Sequence, residues 1–185
     1  MKRFVLIMLA LSCVVAFVSG AVELSAFAQT RPDFSGTWVL DREKSRFGPF
    51  ADSPVAREEV TLTVVHRDPE LRITRRSRAE GGREETRELL FFTDGRGELN
   101  PATLGRVGTS TKTNWEGSKV VARAKLERRA AGGKTVTFEV SEKWGLSNDG
   151  RTLTHTTTAG SPSGVQTVRL VYRRAPEAAD KARDR

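Results

Sequence analysis

Few side chains in this sequence could do chemistry, and their spacing excludes more than it supports. The histidines are His66 and His155, and neither has a second metal-ligating residue at a suitable distance along the chain. A structural zinc site needs four clustered Cys or His ligands. The single cysteine, Cys13, lies in the N-terminal apolar run, so neither a metal nor a cofactor is expected. Ser35, Ser147 and Ser163 stand beside glycines or in turns, yet none sits in a Gly-x-Ser-x-Gly nucleophile elbow. Glu84 and Glu85 are adjacent and would point to opposite faces of a strand, so they cannot jointly flank a scissile bond. Phosphate-loop spacing is absent, and Gly81-Gly82 and Gly132-Gly133 read as hairpin breaks. No catalytic residue is assigned, and a non-enzyme is expected.

What remains is binding chemistry, carried by arginine and tryptophan. On an extended strand Arg72, Arg76 and Arg78 share one face, whereas Arg75 projects with Leu71 and Ile73 and could meet an anionic group inside the fold. Arg169 shares its face with Val171 and Arg173, opposite Val168, Leu170 and Tyr172. Trp115 and Trp144 each stand just ahead of a glycine turn. Large aromatics dominate core packing, but a tryptophan facing a cavity would contact a ligand. The candidate ligand-binding residues are therefore Arg75, Trp115, Trp144 and Arg169.

These residues lie on segments that read almost entirely as strands. Ser35 to Asp41 is the first, and Val60 to His66 follows with apolar residues at 60, 62 and 64. Leu71 to Arg78 and Glu85 to Thr93 come next, and Asp94-Gly95 is a turn. Arg96 to Leu104 reads as a loop, and Val107 to Trp115 as a strand. Val120, Ala122, Ala124 and Leu126 alternate with Arg123, Lys125 and Glu127, the pattern of a half-buried antiparallel strand. Val136 to Trp144, Arg151 to Thr158 and Val165 to Arg174 complete the series. The expected fold is all-β, an antiparallel up-and-down meander of about 8 to 10 strands closed into a barrel, with a β-sandwich as the alternative. Closure removes the exposed edges. Arg42 to Glu59, with Gly48, Pro49 and Pro54, reads as a lid loop or short helical turn.

The ends have other signatures. Lys2 and Arg3 precede an apolar run from Phe4 to Val18, and Ala26-Phe27-Ala28 supplies a small-x-small cleavage pattern. Residues 1–28 are thus expected to be a signal peptide, 29–174 a single barrel domain and 175–185 a charged disordered tail. The run is shorter than the ~20 residues of a spanning helix, so no membrane span is expected after cleavage. Removal of Lys2, Arg3 and Glu23 leaves 29 basic and 22 acidic residues, a formal charge of +7. Export to the periplasm or the medium makes nucleic acid an improbable partner. An anionic envelope polymer or a protein partner is the alternative to a small apolar or amphipathic ligand.

Gly36-Thr37-Trp38 on the first strand, the run of short strands and the basic, tyrosine-containing Val168 to Arg174 together resemble the calycins, which include lipocalins and intracellular fatty-acid-binding proteins. The resemblance implies a lipocalin-like barrel in which Gly36 and Trp38 plug the closed end under a late basic side chain, with Arg173 assigned and Arg169 the other candidate. Fatty-acid-binding proteins hold a carboxylate with an Arg-x-Tyr pair. Arg169 and Tyr172 are three apart and on opposite faces, so that site does not carry over. The chain is also similar to a recurrent kind of exported bacterial protein with Phe-Ser-Gly-x-Trp, Trp-x-Gly and Trp-x-Leu-Ser-x-Asp-Gly, here at Phe34–Trp38, Trp115–Gly117 and Trp144–Gly150.

Overall fold

The computed structural model describes residues 31–100, 109–129, 132–133, 135–161 and 164–176. The signal-peptide assignment and most of the tail lie outside the described residues. Within them the chain forms ten strands: β1 (Gly36–Arg46), β2 (Glu59–Arg67), β3 (Glu70–Arg78), β4 (Glu84–Phe92), β5 (Glu98–Asn100), β6 (Thr109–Glu116), β7 (Lys119–Arg129), β8 (Thr135–Leu146), β9 (Thr152–Ser161) and β10 (Gly164–Arg174). Every pairing is antiparallel, and the order is β4-β3-β2-β1-β10-β9-β8-β7-β6-β5. The first and last strands are neighbours, so the meander closes on itself and the sandwich alternative is excluded. Arg96 to Leu104 was expected as a loop, but β5 lies within it; three residues are too short to show an alternation.

One seam stays without strand pairing, between β4 and β5, and side chains close it. Asn100 accepts the Leu90 N–H at 2.7 Å and donates its amide to the Leu90 carbonyl at 2.8 Å. Glu98 accepts the Phe92 N–H at 3.2 Å and the hydroxyls of Thr111 and Thr113. Both residues are buried, as expected of polar groups that replace backbone partners.

Strand alternation sorts the sheet into two faces. Leu62, Val64, Ile73, Leu89, Val120 and Trp144 point inward and join Phe34, Trp38, Phe91 and Tyr172 in one core. Trp38 is fully buried and donates its indole N–H to the Phe34 carbonyl at 3.0 Å. The side chain above it is Arg174, not Arg173. Its guanidinium carbon lies 4.3 Å from the Trp38 ring, and it also donates to the carbonyls of Ser35 and Gly150. The register decides this, because Trp38 lies opposite Arg174 whereas Arg173 lies opposite Val39 and is exposed on the other face.

At the same end, the rings of Phe34, His66 and Trp115 lie 5.5–5.8 Å apart. Asp68 ties this cluster together, accepting from Thr93, from the Trp115 indole at 2.8 Å and from Arg31 at 2.7 Å. Burial opposes ionisation of Asp68, but these hydrogen bonds outweigh it and hold the carboxyl below its ordinary value.

Candidate functional site

The strands that meet at mid-barrel bring together polar side chains that are far apart in sequence. A cavity of about 50 Å³ is bounded by Arg75 of β3, Glu142 and Trp144 of β8, His155 of β9 and Tyr172 of β10, with Leu40, Val60, Leu62, Leu89, Val168 and Leu170 as apolar wall. Phe47, Phe50 and Val55 roof it. They belong to or adjoin two 3-10 turns, Gly48–Phe50 and Pro54–Arg57. The expected lid of residues 42–59 is therefore a shorter roof, because β1 runs on to Arg46. Gly48 seats the first turn directly on β10: at its φ of +55° a Cβ would stand 2.3 Å from the Thr167 carbonyl oxygen.

The polar groups form two linked sets. The His155 ring stacks on Trp144 at 3.7 Å and 6°, and its Nε2 lies 3.3 Å from Glu142 and 3.4 Å from the Thr157 hydroxyl. Both members of the His155–Glu142 pair are nearly buried, at 12% and 11% side-chain exposure. The Trp144 indole N–H is buried and makes no hydrogen bond among the described residues. Buried donors are normally paired, so a lining tryptophan in this state can serve an acceptor that arrives with a guest. Burial pushes the Tyr172 phenol far up, against the pull of the Arg75 charge, and keeps it protonated.

Arg75 is the second set. Its guanidinium donates to Glu58 at 3.1 Å and to Ser77 at 3.0 Å. Directly opposite it on β4 stands Arg87, which pairs with Glu85 at 2.7 Å. Like charges facing each other across a strand pair are unfavourable without counter-charges.

The structure thus gathers two of the four expected ligand-binding residues, Arg75 and Trp144. Trp115 lies in the closed-end cluster with Asp68 and does not line the cavity. Arg169 is exposed on the outer face and points away from the interior. Glu58, Glu142 and His155 were not identified from sequence. For His155 a signal existed, since it shares a strand face with Leu153 and Thr157, but the stacking partner on β8 could not be read.

Described residues also line two further concavities. One of about 270 Å³ lies where β1 and β2 part, lined by Leu40, Arg42, Glu58 and Val60 among others. The other, about 820 Å³, includes Lys112, Arg123, Lys125, Glu139 and Thr158, which point away from the interior. Arg123 is paired with Glu116 there, and on β3 Arg72 and Arg78 are paired with Glu70 and Glu84.

No protein-family model matches this chain, and no curated protein matches it. Among solved structures it is similar to zebrafish ileal bile acid-binding protein complexed with cholic acid, with a TM-score of 0.50 and 14% identity over 77% of this chain and 98% of that one. It is also similar to the fatty-acid-binding protein of Manduca sexta, with a TM-score of 0.45 and 12% identity over 76% of this chain and 99% of that one. At such identity the likeness is one of fold, a calycin-like barrel.

Proposed function

We propose that this chain is an exported, non-enzymatic barrel that binds a small amphipathic molecule, its polar end at Arg75, Trp144 and Tyr172 and its apolar part against the barrel wall. The observation that carries the reading is the unpartnered Trp144 indole N–H in a largely apolar, roofed cavity that also contains a guanidinium. Ligand sites combine apolar walls with a few convergent polar groups in this way. The present volume holds only a handful of waters at roughly 10–15 Å³ each, so a larger guest requires the roof of Phe47, Phe50 and Val55 to lift. We take residues 1–28 as the signal that directs export and 29–174 as the binding domain.

Native mass spectrometry of protein purified from its own compartment, with displacement of a hydrophobic dye, tests this reading. A bound amphiphile mass and saturable displacement are expected. Absence of both removes the carrier.

A further inference from the structure

β1 and β2 part beside the cavity. The two strands pair only from Gly36 to Val39 against Val64 to Thr61. Beyond Val39, β1 follows β10 instead, with Leu40 opposite Tyr172 and Asp41 opposite Val171. The register then shifts between Asp41 and Arg46, and Ser45 takes the Val171 N–H on its hydroxyl. The gap that opens is the 270 Å³ concavity, and it shares Leu40 and Val60 with the interior cavity. Leu40 and Val60 are thus walls common to the two spaces.

Two contacts tie the roof down beside this gap. Arg42 donates to the carbonyls of Arg57 and Glu58 at 2.6 and 3.0 Å and so ties the end of the roof to β1. Glu58, the residue that ends the second 3-10 turn, turns its carboxylate onto Arg75. Both side chains of that ion pair are only 18% exposed. Glu58 therefore lies in the wall of the outer gap while its carboxylate neutralises the guanidinium of the inner cavity.

We propose that Glu58 is an internal stand-in for a ligand's acid group, and that a guest carboxylate passing between β1 and β2 takes its place on Arg75 and releases the roof. This rests on the binding function proposed above and gives it a gate and a ligand class, an acid-headed amphiphile. Arg75 lies opposite Arg87, which keeps its own partner Glu85, so loss of Glu58 from Arg75 leaves Arg75 as the guanidinium that an arriving anion would meet in the cavity. Removing the Glu58 charge removes the competitor and leaves the guanidinium in place.

The test compares dodecanoate with dodecanol by isothermal titration on delipidated full-length wild type and Glu58→Gln, with near-UV circular dichroism confirming the fold. Glu58→Gln is expected to bind dodecanoate about fivefold more tightly, the scale of a single solvent-screened ion pair, and dodecanol unchanged. If wild type binds both and the variant gains nothing for dodecanoate, the gate is refuted and the binding function stands. If neither ligand binds either protein, both fail. Should Glu58→Gln lose its near-UV signal, Arg42→Ala gives the second reading, a faster association of dodecanoate in stopped flow; an unchanged rate refutes the gate.

Discussion

The β4–β5 seam offers a sharp quantitative test, because a buried amide there does what a strand does elsewhere. Asn100→Ala removes two hydrogen bonds to Leu90, both of 2.8 Å or less, and leaves that residue's N–H and C=O unpaired. A net hydrogen bond contributes about 1 kcal/mol, and a stranded buried partner costs about 1–3 kcal/mol. Leu90 is half-buried, so water recovers part of the loss, and about 2–3 kcal/mol of destabilisation is expected. In a domain of this size that lowers Tm by roughly 5–10 °C. The neighbouring Leu99 is 75% exposed, so Leu99→Ala should stay within about 0.5 kcal/mol of wild type. Urea unfolding followed by tryptophan fluorescence measures both, and hydrogen exchange at Leu90 locates the effect. If Asn100→Ala costs less than Leu99→Ala, side-chain closure of the seam is wrong.

Three further outcomes are expected. Arg75→Gln should weaken dodecanoate binding by roughly tenfold, the scale of a charge-assisted hydrogen bond, with dodecanol unaffected in the same titration. His66 is held below its ordinary value because burial disfavours its charged form, against the opposing pull of Asp33 and Asp68. The unfolded chain then binds the proton first, so stability should fall as pH drops through about 6.5; urea midpoints at pH 7.5 and 5.5 should differ in wild type, and less so in His66→Asn. Gly48→Ala should cost about 1 kcal/mol or more, since alanine meets both the positive φ and the Thr167 carbonyl, and trypsin should cut faster at Arg57 if the roof is anchored there.

Much of the candidate site was half legible in the sequence. The alternation of Leu71, Ile73 and Arg75 shows that an arginine faces inward, and Trp144 stands on the inner face of a strand ending at a glycine. What was missing is the partner in each case. Glu58 precedes β2 in a segment without periodicity, so nothing local marks it as the counter-charge of Arg75. His155 and Glu142 are thirteen residues apart and meet because Trp144 lies opposite His155 and Glu142 opposite Thr157 in the β8–β9 register. Trp115 and Arg169 failed to join the cavity for the same kind of reason. Trp115 sits in the cluster with Phe34 and His66, and Arg169 has the parity of the exposed Arg173, opposite Val168, Leu170 and Tyr172.

By itself the sequence determined the strands other than β5, the all-β class and which side of most strands is apolar, because a period of two in side-chain direction is a local property of extended backbone. Tertiary structure decided the registers, and through them the function-bearing neighbours. Arg174 rather than Arg173 covers Trp38, Asn100 substitutes for a missing strand pair, and Glu58 reaches Arg75 across the parting of β1 and β2. A shift of one residue in register exchanges the two faces of a strand, and that choice is made by the closed barrel as a whole.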